Sequence, residues 1–207
     1  MARKMPDWMR FPLVLVIVTS VSAFCLAGLR VLTLPQKRAM EAKITERALK
    51  VVMPQATSFE TRRGLIDGRK FYYRVAKLGD EEIGYVGEGS ATGYSSVIKI
   101  MVGVDKDFVV QGVEILSQKE TPGLGDKVDE VRSKRTWWTV LTGTSPDERG
   151  LRPWFQDQFG GLGVPVKVDK DGGRIEAITG ATISSRAVCQ AVNRAVDDLK
   201  TVLGSTS

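Results

Sequence analysis

Val166-Lys167-Val168-Asp169-Lys170-Asp171-Gly172-Gly173-Arg174-Ile175-Glu176-Ala177-Ile178, continuing into Thr179-Gly180-Ala181-Thr182-Ile183-Ser184-Ser185, is the stretch on which the reading of this chain turns. Two short runs alternate apolar and polar residues on either side of Lys170-Asp171-Gly172-Gly173, a pattern that predicts a β-hairpin. Beyond Ser185, apolar residues at Val188, Ala191, Val192, Ala195, Val196 and Leu199 recur at helical spacing, which predicts an amphipathic helix reaching about Thr201. The junction therefore holds hydroxyl residues at a helix N-terminus, next to a glycine that lets another molecule come close to the backbone. Local chemistry allows two readings. Thr and Ser at such junctions serve as N-caps, and Gly makes the turn. Equally, free N–H groups and the positive end of the helix dipole make the place favourable for a phosphate.

Working outward, strand-like stretches occur at Phe71–Val75, Glu82–Gly87, Val97–Val104 and Phe108–Leu116, with Asp105-Lys106-Asp107 as a hairpin turn between the last two. The glycines from Gly84 to Gly93 argue against a helix and predict bulges or close backbone approach. Pro122-Gly123 predicts a turn, followed by a short helix over Asp126–Val131. From Asp126 to Phe159 the chain reads as irregular and partly helical. Its aromatics Trp137, Trp138, Trp154 and Phe155 suit either core or a cover over a pocket. Several strands, helical segments, a hairpin and a last helix together predict an α+β domain built on a mainly antiparallel sheet.

The N-terminal part differs in kind. Phe11 to Leu29 carries no charge and is flanked by Arg3, Lys4 and Arg10 before it and Arg30 after it. That length suits a helix crossing a hydrocarbon core of ~30 Å. A cleaved signal peptide has a shorter apolar region, and Ala23-Phe24-Cys25 suits neither its cleavage site nor a lipoprotein attachment site. The expected organisation is a short cytoplasmic tail (1–10), an uncleaved anchor (11–29), a helical linker (30–56) and an extracytoplasmic domain (57–207). The short basic tail stays in the cytoplasm because large domains translocate largely regardless of their own charge. Ala39, Ala42, Ile44, Ala48, Val51 and Val52 give the linker a weak apolar stripe, so it either spans solvent or packs on a neighbour.

Composition removes several function classes. The chain has 207 residues, 43% hydrophobic, and a formal charge of +6. With Arg3, Lys4, Arg10, Arg30 and Asp7 set aside, 26 basic and 23 acidic residues remain, and no basic, aromatic-studded stripe argues for nucleic acid. There is no His, which rules out His-dependent triads and His-ligated haem or zinc sites. Two cysteines, Cys25 in the anchor and Cys189 in the last helix, are too few for an iron–sulfur cluster. An electron carrier with this composition needs an organic cofactor.

Three patches, in order along the chain, resemble the FMN-binding domain family. Thr179-Gly180-Ala181-Thr182-Ile183-Ser184 resembles its flavinylation motif. Glu120-Thr121-Pro122-Gly123-Leu124-Gly125 resembles the loop that lies against the flavin ring. Gly93-Tyr94-Ser95-Ser96-Val97-Ile98 resembles a strand entry of the same family. The resemblance implies that FMN is attached covalently to Thr182 through a phosphoester bond. It places Thr179, Gly180, Ala181, Ser184 and Ser185 around the phosphate, and Glu120, Thr121, Leu124 and Gly125 along the ring. It also implies a separate Mg²⁺-dependent flavin transferase that uses FAD as donor, so the chain itself performs no independent catalysis and binds no metal of its own. The family often carries His shortly before the Glu-Thr-Pro-Gly loop; Gln118 and Lys119 stand there in this chain.

Within that family, the anchor and modest length are most similar to the G subunit of Rnf-type complexes, which pass electrons between ferredoxin and NAD⁺ while moving Na⁺ or H⁺ across a membrane. The implied partners are the other subunits of such a complex. Two further readings share the motifs: the C subunit of a Na⁺-translocating NADH:quinone reductase and a stand-alone flavinylated extracytoplasmic carrier. A reading from another class is a flavin-free membrane assembly module, in which Thr182 is only a cap.

Overall fold

The computed structural model describes residues 7–66, 68–130 and 153–204. Two compact units divide the chain at Ile44 and Thr45. Helix α1 (Asp7–Val52) begins in the first and ends in the second. Its apolar side chains from Phe11 to Leu34 are exposed, and by length and composition it is the one helix among the described residues able to cross a membrane. The hydroxyls of Thr19 and Thr33 donate back to the carbonyls of Leu15 and Leu29, so these polar groups are satisfied within the helix. Helix α1 runs on without a break through Pro35, which removes a single N–H donor.

The second unit is a five-stranded antiparallel meander with strands in sequence order: β1 (Ser58–Ile66), β2 (Arg69–Leu78), β3 (Glu81–Thr92), β4 (Val97–Asp105) and β5 (Val110–Ser117). The α+β architecture with an antiparallel sheet is thus the one read from the sequence. Period-two alternation explains how the sheet is covered on both faces. Ile98, Ile100, Val102 and Val104 of β4 join the main core with Val188, Ala191, Val192, Ala195, Val196 and Leu199 of the last helix, here α3 (Thr182–Gly204). Met101 points the other way and joins Val86, Ala76 and Met53 under the end of α1, where Ala48 and Val52 are fully buried. The last turns of α1 therefore pack on the sheet, and the second compact unit runs from Thr45.

The strand glycines admit the last helix. A Cβ at Gly89 would run into the carbonyl oxygen of Ala191, and one at Gly87 would meet Leu199 at 3.1 Å. At the β4–β5 turn, the carboxylate of Asp105 accepts the N–H groups of Asp107 and Val109, and Phe108 takes a positive φ of 60°.

Two sequence expectations are corrected. First, Val166–Ile178 does not form a hairpin. Val168 and Ile175 make one parallel bridge, and Asp169–Asp171 is a single 3₁₀ turn closed by Gly172 at φ 76°. The cause is a side chain competing with a ladder: Asp169 Oδ1 accepts the N–H groups of both Lys170 and Ala177. Val166, Val168, Ile175, Ala177 and Ile178 are buried all the same, so the alternation reports core contact and one bridge, without a hairpin ladder. Second, the segment after Pro122-Gly123 is a 3₁₀ turn over Gly125–Asp129. Further along, Phe155 lies in the core and stacks edge-on against Trp154 and Phe159, a segment opened by the short helix α2 (Trp154–Asp157). Trp137 and Trp138 lie outside the described residues.

Candidate functional site

The start of α3 is shaped by its own sequence. Ala181 N–H donates to the carbonyl of Ile178 at 2.9 Å, closing a turn whose third residue, Gly180, sits at φ 80°. Glycine takes that left-handed conformation without the Cβ penalty other residues meet. Ser185 fixes the turn from beneath: its hydroxyl accepts the N–H of Ile178 and donates to the carbonyl of Ala181, each at 3.0 Å. Thr182, the first residue of α3, is half-buried, and its hydroxyl faces Lys170 Nζ at 3.4 Å. The first helical N–H groups point out of the same turn, because a helix supplies them no internal acceptor.

A second loop comes up beside it. Leu124 N–H donates to the carbonyl of Thr121 at 3.2 Å, with Pro122 and Gly123 (φ 77°) as the two central residues. Pro first and a positive-φ Gly second is the pairing a type II turn requires. The turn leaves Leu124 partly exposed over the mouth of a cleft.

Glu120 ties the two loops and a third together. Its side chain is buried at 6% exposure, and its carboxylate collects five hydrogen bonds. Oε1 accepts Ser95 N–H (3.1 Å), Ser96 N–H (2.9 Å) and the Ser96 hydroxyl (2.9 Å). Oε2 accepts Tyr94 N–H (3.0 Å) and the Ser184 hydroxyl (2.5 Å). Glycines make the room: a Cβ on Gly93 would stand 2.7 Å from Oε1, and one on Gly125 would stand 2.6 Å from Ser184 Oγ. Burial by itself raises the pKa of this carboxyl, but hydrogen bonds from Ser184, Ser96 and the backbone of Ser95 and Tyr94 outweigh it and hold the group below the usual range. Glu120 is therefore an ionised clasp joining Tyr94–Ser96, the Thr121–Gly125 turn and the first turn of α3. Ser95 and Thr121 add a hydroxyl–hydroxyl bond at 3.2 Å.

The cleft between these loops has a volume of about 620 Å³. Of the residues singled out from the sequence, Glu120, Thr121, Leu124, Gly125, Gly180, Ala181, Thr182 and Ser184 line it. Thr179 is exposed outside it, and Ser185 is fully buried behind it. The Ser184 hydroxyl is committed to Glu120. Sequence reasoning did not single out three further lining residues, Tyr94, Lys170 and Ile183. Tyr94 and Ile183 belong to quoted motifs, and their exposure (72% and 51%) marks them as apolar rim. Lys170 gave no signal, since a lysine in a turn is ordinarily just solvated. Arg186, a second cation near the junction, is held by Asp171 in a two-pronged ion pair at 2.6 and 2.7 Å.

Residues 93–197 match the model of the FMN-binding domain. The chain belongs to the FMN-binding domain family. It is 32% identical over 190 residues to the G subunit of the ion-translocating oxidoreductase complex of Methanosarcina acetivorans, covering 88% of this chain and 89% of that one. It is 46% identical over 109 residues to the G subunit of the same name from Aliivibrio fischeri, covering 53% of this chain and 45% of that one. The chain thus spans nearly the whole archaeal relative and about half of the bacterial one. Among solved structures it aligns with NqrC of Shewanella oneidensis at 18% identity and a TM-score of 0.43, over 69% of this chain and 66% of that one. The family match begins at Gly93 and includes all three of the loops that Glu120 clasps.

Proposed function

We propose that this chain is a membrane-anchored electron-transfer subunit of an Rnf-type ion-translocating complex, carrying FMN on Thr182. The observation that carries the reading is the meeting of the Thr182 hydroxyl and the Glu120–Gly125 loop in one cleft, although they are far apart in sequence. The cleft suits the group in size and character. Its volume lies within the ~300–1,000 Å³ range of small-molecule sites, and it combines an apolar rim with a hydroxyl at a helix N-terminus.

Each residue then has a distinct task. Thr182 Oγ1 is the acceptor. It forms a bond to the FMN-side phosphorus of FAD, the pyrophosphate P–O bond to AMP breaks, and the hydroxyl proton passes to a base on the flavin transferase. An unassisted threonine hydroxyl is a weak nucleophile, so activation comes from that Mg²⁺-dependent enzyme. Gly180 and Ala181 keep the approach to Thr182 open. Tyr94, Leu124 and Ile183 offer apolar surface to the ring, while Thr121 and Gly125 bound the cleft. Glu120 holds the walls in place and keeps its charge engaged internally. Bound flavin supplies the ability to take up and release electrons, and the protein's share is to fix and shield it. Helix α1 anchors the domain in the membrane, with the domain on the extracytoplasmic side. Relatives from Clostridium ljungdahlii and Acetobacterium woodii are named as the G subunits of ferredoxin:NAD(+) oxidoreductase complexes, which favours an Rnf-type complex over a quinone reductase.

The test is the intact mass of the denatured protein after co-expression with a flavin transferase. The wild-type chain is expected to gain one FMN-sized increment and Thr182→Val none. Absence of the increment in the wild type, with the transferase active on another target, would refute the reading and leave Thr182 as a helix-start residue only.

A further inference from the structure

Lys170 is the only cation among the described residues that line the cleft. The turn presenting it is fixed at both ends. Asp169 accepts the N–H of Ala177 at 3.1 Å, and Asp171 pairs with Arg186 on the first turns of α3. Gly172 and Gly173 N–H groups close onto the carbonyls of Asp169 and Val168, both at 2.9 Å. The backbone of Lys170 is therefore registered against α3, and its ammonium reaches Thr182 Oγ1 at 3.4 Å. The neighbouring charges are already spoken for: Arg186 by Asp171, and the Glu120 carboxylate by its five donors. Asp169, next to it in the turn, spends Oδ1 on the backbone N–H groups of Lys170 and Ala177, so among the described residues the Lys170 ammonium has no ion-pair partner and lies beside the oxygen that the proposed function makes a phosphate ester.

We propose that Lys170 is the counter-charge of the phosphate at Thr182, pairing with its non-bridging oxygens as the ester forms and in the finished product. The inference rests on the reading of Thr182 as the acceptor. In that reading Oγ1 gains a bond to phosphorus, AMP leaves with the electrons of the broken P–O bond, and the proton leaves on the transferase. Lys170 neither gives nor takes the proton. It offsets negative charge on the phosphoryl oxygens, where a preorganised cation next to developing charge lowers the barrier. It works together with the N–H groups at the start of α3.

The experiment uses the full-length chain, purified in detergent from a host without flavin transferase, then loaded in vitro with the transferase, FAD and Mg²⁺. Loading is followed by intact mass to obtain kcat and KM for Lys170→Gln, Lys170→Glu and Lys170→Arg. Lys170→Gln is expected to lower kcat about tenfold, with Lys170→Glu slower still and Lys170→Arg within about twofold of wild type. KM and the thermal midpoints should stay put, because the side chain is exposed. Wild-type kcat for Lys170→Gln, alongside no loading of Thr182→Val, overturns the counter-charge while leaving the acceptor standing. A raised KM at unchanged kcat also overturns it, showing a transferase contact instead. A slow Lys170→Arg overturns it too, since charge would then not be the operative property. Failure of the wild type to load removes both readings together.

Discussion

Replacing Glu120 by Gln tests whether this residue is a clasp or a flavin contact. The amide can imitate only one carboxylate oxygen. With its carbonyl at the Oε1 position it keeps Ser95 N–H, Ser96 N–H and the Ser96 hydroxyl, but its NH₂ then faces Tyr94 N–H and Ser184. The Ser184 hydroxyl can turn round to accept; the Tyr94 N–H cannot. The opposite orientation is worse, setting the NH₂ against two backbone donors. One stranded donor costs about 1–3 kcal/mol, and the surviving bonds lose their charge assistance. Tyr94 stands at the exposed rim, where water reaches, so the expected loss is about 2–3 kcal/mol, near the low end of that combined cost. Urea unfolding of the full chain in detergent, followed by near-ultraviolet circular dichroism, measures it.

The pH dependence supplies the sign. The folded pKa of Glu120 is lowered, so its contribution is complete above the unfolded value of about 4.3 and is lost as pH falls through the folded pKa. The stability gap between wild type and Glu120→Gln should therefore be constant from neutral pH down to about 5 and close below about 4. A variant within about 0.5 kcal/mol of wild type at neutral pH, or a gap that persists undiminished in acid, would refute the clasp. A variant with unchanged stability and an altered flavin spectrum would return Glu120 to the role its motif first suggests, lining the ring.

Two more substitutions test the backbone of the site and its support. Gly180→Val forces a β-branched residue to φ 80° and brings its Cβ to 3.1 Å from Leu124, so a loss of about 2 kcal/mol and slower loading are expected, read by thermal unfolding and intact mass. Gly89→Ala drives a methyl into the Ala191 carbonyl oxygen and should cost about 3 kcal/mol, whereas Gly163→Ala, with open space around it, should leave the melting curve unchanged. Equal melting for those two glycine variants would contradict the close packing of α3 on β3.

Local periodicity was enough for much of this protein. The apolar stripe of α3, the alternation of β2 to β5, the Pro122-Gly123 turn and the long uncharged run in α1 are all properties of neighbours in sequence. The glycines of β3 were readable as sites of close approach for the same reason. Strand β1 escaped notice because it is an edge strand whose inward positions, Phe59, Arg62, Gly64 and Ile66, are only partly buried and of mixed character, so no apolar alternation shows in its sequence. The expected hairpin at Val166–Ile178 went wrong at one side chain, Asp169, whose hydrogen bonds to Lys170 and Ala177 outcompete the ladder.

The family motifs could be found in the linear chain, and with them Thr182 and Glu120. The division of labour between them could not. Glu120 meets Tyr94–Ser96 and Ser184 across sequence separations of 24 to 64 residues, and Lys170 reaches Thr182 only because Asp169 and the Asp171–Arg186 pair bend its turn against α3. Hydrogen bonds and ion pairs depend on ångström-scale distances between groups brought together by folding. Sequence periodicity carries the hydrophobic pattern that folds the chain; it holds no record of which polar atoms then come within reach.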